Sequence, residues 1–334
     1  MRWPALLAVP LAGVLAAGCG GERELELQPG VLRIGVVTPH DSWGGEIVNG
    51  VRAAVRELDR DGGIDGKVRV QLLFGDSRRL AAARVRVVIL SCGERAQAAA
   101  ARIAARRRAL MLEPCNTGVW RRFAEVWPIS ASPRQEADAL AAYVADQKYE
   151  RVALVGDGGI EASFRRGGVR FASARHADAV AVVLPAPRAQ AAVTRLRVRG
   201  IAAPVVATHG MDDRRAVADH RSALEGVTFT TFGYPEPGDE MDEFYERYRA
   251  LTGRVPDGSF AALGYDAIRV LDAAVNEAES TEPRAVAAVM PGLDASGATG
   301  MIRYPERGGR NPAVSLALVR IEDGRLVLVD RVDV

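Results

Sequence analysis

In the first third of the chain, the spacing of apolar residues changes from that of a strand to that of a helix and back. Residues 31–37, VLRIGVV, form a nearly continuous apolar run, which is typical of a parallel strand buried on both faces. Residues 51–58 repeat apolar side chains at i, i+3, i+4 and i+7, and Gly62-Gly63 ends that helix. Residues 68–74 then alternate as a second strand. This order predicts a parallel sheet wrapped by helices.

The same alternation continues along the chain and restarts after Pro128. The remaining predicted elements are strands at 85–90, 109–112, 151–156, 179–185 and 203–208, helices at 94–108, 134–147, 188–199, 239–252 and 259–278, and a β-rich segment from about 299 to the end. Two α/β blocks with a returning C-terminal segment predict two lobes, each built from discontinuous chain. No repeat of solenoid length interrupts this pattern.

The first residues indicate export. Arg2 is the only charge ahead of a short apolar run that ends in L-A-A-G-C at residues 15–19, which describes a secretory signal. The run is too short to span roughly 30 Å of hydrocarbon. Its ending resembles the lipobox of bacterial lipoproteins. We therefore expect residues 1–18 to be removed, Cys19 to be lipidated, and residues 19–30 to tether the body to a membrane, facing the periplasm or cell exterior.

Charge and cysteine content narrow the possible classes of protein further. The chain has 44 basic and 42 acidic residues, so it lacks the basic excess of a nucleic-acid binder. Of the three cysteines, Cys92 and Cys115 remain once Cys19 carries lipid. Each follows an apolar, strand-like run, and in an oxidising compartment an even pair suggests one disulfide. Two buried free thiols are the alternative.

Enzyme signatures are weak in this sequence. Gly156 opens a glycine-rich loop after a strand, but Glu161 occupies the third glycine position of a dinucleotide-binding loop. His209 with Asp212 and Asp213 outlines at most a weak metal site, since no second histidine stands four residues away. No nucleophile elbow or S-x-x-K motif occurs. We therefore expect no catalysis, no cofactor and no metal.

Residues 34–78, from IGVVTPHDSWGG to FGDSR, resemble the opening of the leucine/isoleucine/valine-type periplasmic substrate-binding proteins of branched-chain amino acid ABC transporters. Residues 113–117, EPCNT, are similar to the family's S-P-x-x-T ligand loop. Tyr265-Asp266-Ala267 matches its Y-D-A helix start. Residues 300–304, GMIRY, with the following VSLALVRIEDGRLVLV, match its C-terminal hairpin.

The resemblance implies a type I solute-binding fold with two Rossmann-like lobes and three hinge crossovers. Lobe 1 would comprise 31–128 plus 232–317, and lobe 2 would comprise 129–231 plus 318–334. Lobe 2 is expected to be shortened after RVALVGD, as though one helix and one strand were missing. The ligand would lie in the cleft, beyond the carboxyl ends of the strands.

The resemblance also implies ligand-binding positions. Trp43 falls where an aromatic packs on the ligand, with a packed loop tryptophan as the alternative. Cys115 and Thr117 fall at a backbone-carbonyl and a hydroxyl contact, although the Thr117 hydroxyl would otherwise stabilise its own turn. Gly93-Glu94 stand where the family has a serine, and His209 or Gly210 stands where it has the acid that binds the α-ammonium group. These two departures weaken the expectation of an α-amino acid ligand.

The predicted function is that of a lipid-anchored solute-binding protein. It would capture a small polar solute, such as an amino acid, an amide or a related carboxylate, for an inner-membrane ABC permease by hinge closure. The alternative is a sensor or assembly lipoprotein on the same fold that takes no part in transport. No nucleic-acid partner is expected.

Overall fold

The computed structural model of this chain describes residues 29–38, 42–83, 85–92, 94–105, 109–156 and 158–334. The β-strands are β1 Gly30–Val37, β2 Val68–Gly75, β3 Val87–Ile89, β4 Leu110–Glu113, β5 Val126–Pro128, β6 Arg151–Gly156, β7 Arg170–Phe171, β8 Ala179–Val183, β9 Val205–Ala207, β10 Thr228–Thr231, β11 Asp294–Gly297, β12 Gly300–Arg303, β13 Ser315–Glu322 and β14 Arg325–Asp333. The α-helices are α1 Ser42–Arg60, α2 Ser77–Ala82, α3 Glu94–Ala104, α4 Pro133–Asp146, α5 Glu161–Arg166, α6 Arg188–Val198, α7 Arg214–Asp219, α8 Arg221–Leu224, α9 Glu240–Thr252, α10 Phe260–Ala278 and α11 Pro283–Val289. The predicted α/β class is confirmed.

The first sheet has the order β2-β1-β3-β4-β5, and all of its neighbouring strands are parallel. β1 lies inside it, and Ile34 and Val37 of this strand enter different hydrophobic clusters. That two-sided burial explains why the strand reads as a nearly continuous apolar run. Because the strands are parallel, the loops that follow β1, β3 and β4 emerge at one edge of the sheet.

The second sheet has seven strands in the order β14-β13-β10-β9-β8-β6-β7. Its strands from β10 to β7 are parallel, whereas β13 and β14 add an antiparallel hairpin beside β10. β13 begins at Ser315 and pairs with β10 up to Thr231↔Ala317. The strand therefore starts just ahead of the predicted lobe boundary at residue 317, and the lobe boundaries themselves stay a prediction.

The segment after β6, where the resemblance predicts a shortened lobe, contains one short helix and one short strand. The chain there forms α5, six residues long, and β7, two residues long and paired with β6 in parallel. Ile160 and Phe164 are almost completely buried and pack in a cluster with Leu140 of α4. Two anchoring side chains therefore hold this short unit on the sheet, and the shortening of the lobe stays a prediction.

Helices α1 and α10 cross with their backbones in direct contact, on the face of the first sheet. A Cβ atom on Gly50 would overlap the carbonyl oxygen of Ala261, and a Cβ atom on Gly264 would overlap that of Ile47. Two glycines thus make the close approach possible. The crossing lies near the N-terminal end of both helices, where α1 carries Trp43 and α10 begins at Phe260.

We expect Gly50→Ala to lower the free energy of unfolding by about 1–3 kcal/mol, because the added methyl group must push α1 away from α10. Gly45→Ala, in the same helix, is the matched control. A Cβ atom at residue 45 meets nothing within 4 Å, so the better helix propensity of alanine should leave stability unchanged or raise it by up to ~1 kcal/mol. Urea unfolding followed by circular dichroism measures both, and equal destabilisation by the two variants would contradict the backbone contact.

Candidate functional site

Four ring side chains meet between the two sheets. Trp43 and Phe260 stack with centroids 4.4 Å apart and an interplanar angle of 12°. The imidazole of His209, which follows β9, lies 5.0 Å from the Phe232 ring, 5.9 Å from Phe260 and 6.3 Å from Trp43. α1 and α10 belong to the core of the first sheet, and the turn at His209 belongs to the second. Both halves of the molecule therefore contribute to one cluster.

His209 is bonded to a buried carboxylate on its own side of the cleft. Its Nδ1 atom lies 2.9 Å from Glu136 Oε2 and 3.1 Å from Oε1, and its backbone N–H donates to Oε1 at 2.7 Å. The hydroxyl of Thr230 donates to the same oxygen. Only 3% of Glu136 is exposed. The carboxylate therefore accepts hydrogen bonds from β10 and from the turn after β9, and α4 holds it in position.

Local sequence explains how these two side chains are placed. α4 begins with a capping box between Ser132 and Gln135, and Pro133 opens its first turn. Glu136 follows in that turn, where the positive end of the helix dipole favours a carboxylate. On the other side, a Cβ atom on Gly210 would overlap the carbonyl oxygen of Leu184. A glycine is therefore required beside His209 for the turn to pack.

Each member of the pair favours the charged form of the other. Burial alone would raise the pKa of the Glu136 carboxyl, but the charge and hydrogen bonds of His209 outweigh it and hold that pKa below its ordinary value. Burial would lower the pKa of His209, but the Glu136 charge and hydrogen bond, helped by Asp212, raise it above its ordinary value. The coupling therefore favours an imidazolium beside a carboxylate.

One ring nitrogen of His209 is left for another partner. Nδ1 is engaged by Glu136, whereas Nε2 has no hydrogen-bond partner in the part of the chain that the structure describes. The side chain keeps 28% of its surface exposed. Since a protonated imidazole donates from both nitrogens, the cluster presents a cationic N–H among aromatic rings.

The outlined metal site at His209, Asp212 and Asp213 is not formed. Asp212 Oδ2 accepts hydrogen bonds from the backbone N–H and hydroxyl of Ser259, at 2.9 and 2.6 Å, and from the Thr231 hydroxyl at 2.7 Å. Asp213 caps α7. Among the described residues no group of three or more His, Cys, Asp or Glu side chains is arranged to hold a metal ion. Asp212 instead ties the turn after β9 to the start of α10.

The loop after β4 holds the other predicted ligand contacts. Cys115 is joined to Cys92 in a disulfide, with Cα atoms 5.3 Å apart, so the loops after β3 and β4 are cross-linked. The Thr117 backbone N–H and hydroxyl both donate to Glu113 Oε1 at 2.5 Å. Burial raises the pKa of Glu113 despite these bonds. The Thr117 hydroxyl therefore donates within its own loop, as in the alternative that it stabilises its own turn.

The structure brings Trp43 and His209 together, and it places Cys115 and Thr117 in the neighbouring loop. Gly93 and Cys19 lie outside the described residues. Sequence reasoning missed Glu136, Phe232 and Phe260. Phe260 stands five residues before the Y-D-A motif, a spacing that offered some signal. Nothing in the sequence marked Glu136, because its partner lies 73 residues away.

Two α/β sheets with a shared site beyond their parallel strands define a two-lobed binding protein of type I architecture. The chain belongs to the periplasmic binding protein family, whose sequence profile matches residues 31–163 and 167–325. No curated protein sequence matches it significantly.

Solved structures support this fold. A leucine-binding protein, LivK, from Thermotoga maritima has a TM-score of 0.75 at 20% identity, covering 90% of this chain and 98% of its own. LivJ from Streptococcus pneumoniae, in complex with isoleucine, has a TM-score of 0.75 at 19% identity, covering 91% and 100%. A Rhodopseudomonas palustris solute-binding protein, in complex with 3,4-dihydroxybenzoic acid, has a TM-score of 0.78 at 19% identity, covering 91% and 97%. The predicted resemblance to branched-chain amino acid binding proteins is confirmed, and at these identities the likeness concerns the fold alone.

We expect removal of the disulfide to cost about 3 kcal/mol of unfolding free energy, because it closes a loop between residues 23 apart and thereby restricts the unfolded chain. A chain beginning at residue 20 contains only these two cysteines. Urea unfolding with and without reductant measures the loss, and alkylation with mass spectrometry counts the thiols. The Cys92→Ser/Cys115→Ser variant is the control and should not respond to reductant. Unchanged stability of the reduced protein would contradict the bond.

Proposed function

We propose that this protein is a lipid-anchored solute-binding protein that captures a small polar solute and delivers it to an ABC importer. One observation carries the proposal. Trp43 and Phe260 pack with the first sheet, His209 belongs to the second, and their rings meet between the sheets. A site shared in this way comes together when the two halves close and opens when they separate.

Hydrogen bonds near the predicted lobe boundaries support a coupling between the loop after β4 and the arrangement of the two lobes. Asn116, in the loop after β4, donates through Nδ2 to the Ser130 carbonyl at 2.6 Å and to Asn311 Oδ1 at 2.7 Å. Asn311 in turn donates to Gln135 at the start of α4. The loop is thereby connected to the chain near the predicted lobe boundaries at residues 128 and 317. A ligand that orders this loop would favour one arrangement of the two halves.

The protein is proposed to act by binding alone. In the described part of the chain no Ser, Thr or Cys side chain hydrogen-bonds to His209, so no nucleophile is activated by it. Solved relatives are described as leucine-binding or as solute-binding proteins in complex with isoleucine and 3,4-dihydroxybenzoic acid. Their common chemistry, a carboxylate on an apolar body, supports a small carboxylate-bearing solute for this chain.

Solute capture predicts stabilisation by ligand. The chain beginning at residue 20 should be screened by thermal shift against aliphatic and aromatic amino acids, amides and carboxylates. A solute at about 100 times its dissociation constant adds ~2.7 kcal/mol and raises the melting temperature visibly. Trp43→Ala should weaken binding of the hit at least tenfold by losing the stacked ring wall, whereas Val198→Ala, at an 83% exposed residue, should not change it. A flat response across the panel would favour the sensor or assembly alternative.

The importer step is tested separately by uptake of the hit in cells that lack the gene.

Lipid anchoring predicts a membrane location that depends on Cys19. None of the helices that the structure describes is long and apolar enough to cross a membrane. If Cys19 carries lipid, the full chain should fractionate with membranes, incorporate labelled fatty acid and need detergent for release. Cys19→Ala should lose all three properties, while Cys92→Ser/Cys115→Ser should retain them. Membrane retention of the Cys19→Ala chain would refute the anchor.

A further inference from the structure

We propose that the His209–Glu136 pair selects a carboxylate that lacks an ammonium group, and so excludes α-amino acids. The inference rests on the proposed function, because it names the ligand class of that same site. Its ligand would be an apolar or aromatic monocarboxylate, held by the imidazolium through Nε2–H and packed against the stacked rings of Trp43 and Phe260.

The first step is that Glu136 is buried and enclosed by protein donors. Its two oxygens accept from the His209 ring, the His209 backbone and the Thr230 hydroxyl. The residue is almost completely buried. An incoming ammonium group would have to displace protein donors from a buried carboxylate, which leaves them unpaired.

The second step is that the other carboxylates close to the site are equally occupied or unreachable. Asp212 is 4% exposed and its Oδ2 already accepts from Ser259 and Thr231. Glu113, in the neighbouring loop, is completely buried. Glu113 Oε2 has no hydrogen-bond partner, but its burial keeps it from a ligand ammonium group, so neither carboxylate offers an accessible oxygen.

The third step is that the exposed polar group is a donor with positive charge. The resemblance to amino-acid binders places an acid at His209 or Gly210, so the sign of the anchor is reversed. The rings of Phe232, Phe260 and Trp43 lie 5.0 to 6.3 Å from the imidazole, so its charge stands among apolar groups where solvent screens it weakly. An anion gains from this cation, whereas an ammonium group is repelled by it.

Matched ligand pairs test the inference by calorimetry at pH 7. 3-Phenylpropanoate is phenylalanine without its ammonium group, and 4-methylpentanoate is leucine without it. We expect at least one carboxylate to bind ten times more tightly than its amino acid. An amino acid that binds as tightly as its partner overturns the selection while leaving solute capture intact. If none of the four compounds binds to folded protein, the inference is overturned, and solute capture is judged by the wider thermal-shift panel.

A variant of the pair supplies the second arm. In Glu136→Gln the negative partner is lost, and burial then lowers the pKa of His209. The other charged group acting on His209 is Asp212. Carboxylate affinity relative to wild type should be at least tenfold weaker at pH 8 and should recover to within threefold at pH 5.5, because the lower pH favours the protonated imidazole. Thr230→Val, which removes an uncharged donor to the carboxylate, should keep the wild-type pH profile.

A merely structural role for Glu136 predicts a different pattern. Binding by Glu136→Gln would then be weakened to the same extent at pH 8 and pH 5.5, and that result overturns the inference. Unchanged affinity at pH 8 overturns it as well. Melting curves of both variants at each pH verify that the binding data come from folded protein.

Discussion

The buried carboxylate of Glu136 is the constraint from which the rest of the site follows. A charge removed from water must be neutralised and hydrogen-bonded nearby, or folding becomes very unfavourable. Here the requirement is met by His209 and Thr230, which come from the ends of adjacent strands of the second sheet. Satisfying the carboxylate fixes the imidazole in position and charge, and the fixed imidazolium then determines what the cleft can bind.

A second constraint acts from the other half of the molecule. The aromatic wall that faces His209 depends on the crossing of α1 and α10, where Gly50 and Gly264 allow backbone contact. That contact lies one to two turns from Trp43 and Phe260, so small changes in helix separation move the ring stack directly. Nearby, the disulfide and the hydrogen bonds of Asn116 stiffen the loops after β3 and β4. Packed helices and cross-linked loops thus position the ring cluster on the side of the first sheet.

Long elements were predictable because each shows several periods of its pattern. The predicted helices at 188–199, 239–252 and 259–278 differ from α6, α9 and α10 by one residue at an end. The helices missed by the pattern are α2, α5, α7, α8 and α11, each with four to seven residues. Segments of two turns or fewer show no periodicity, and tertiary contacts such as the burial of Phe164 decide their structure.

The sequence by itself determined the α/β class, the family, and the placement of Trp43 and His209 shortly after parallel strands. These properties depend on local periodicity and on motifs within short stretches of chain. Only the tertiary structure decided that Glu136 meets His209, that Phe260 stacks on Trp43, and that the Thr117 proton is spent on Glu113. The first two pairings join residues far apart in sequence, and the third depends on the burial of Glu113. The charge of the site could therefore be read only from the folded chain, because hydrogen-bond partners and desolvation set the ionisation of a side chain and its residue type alone does not.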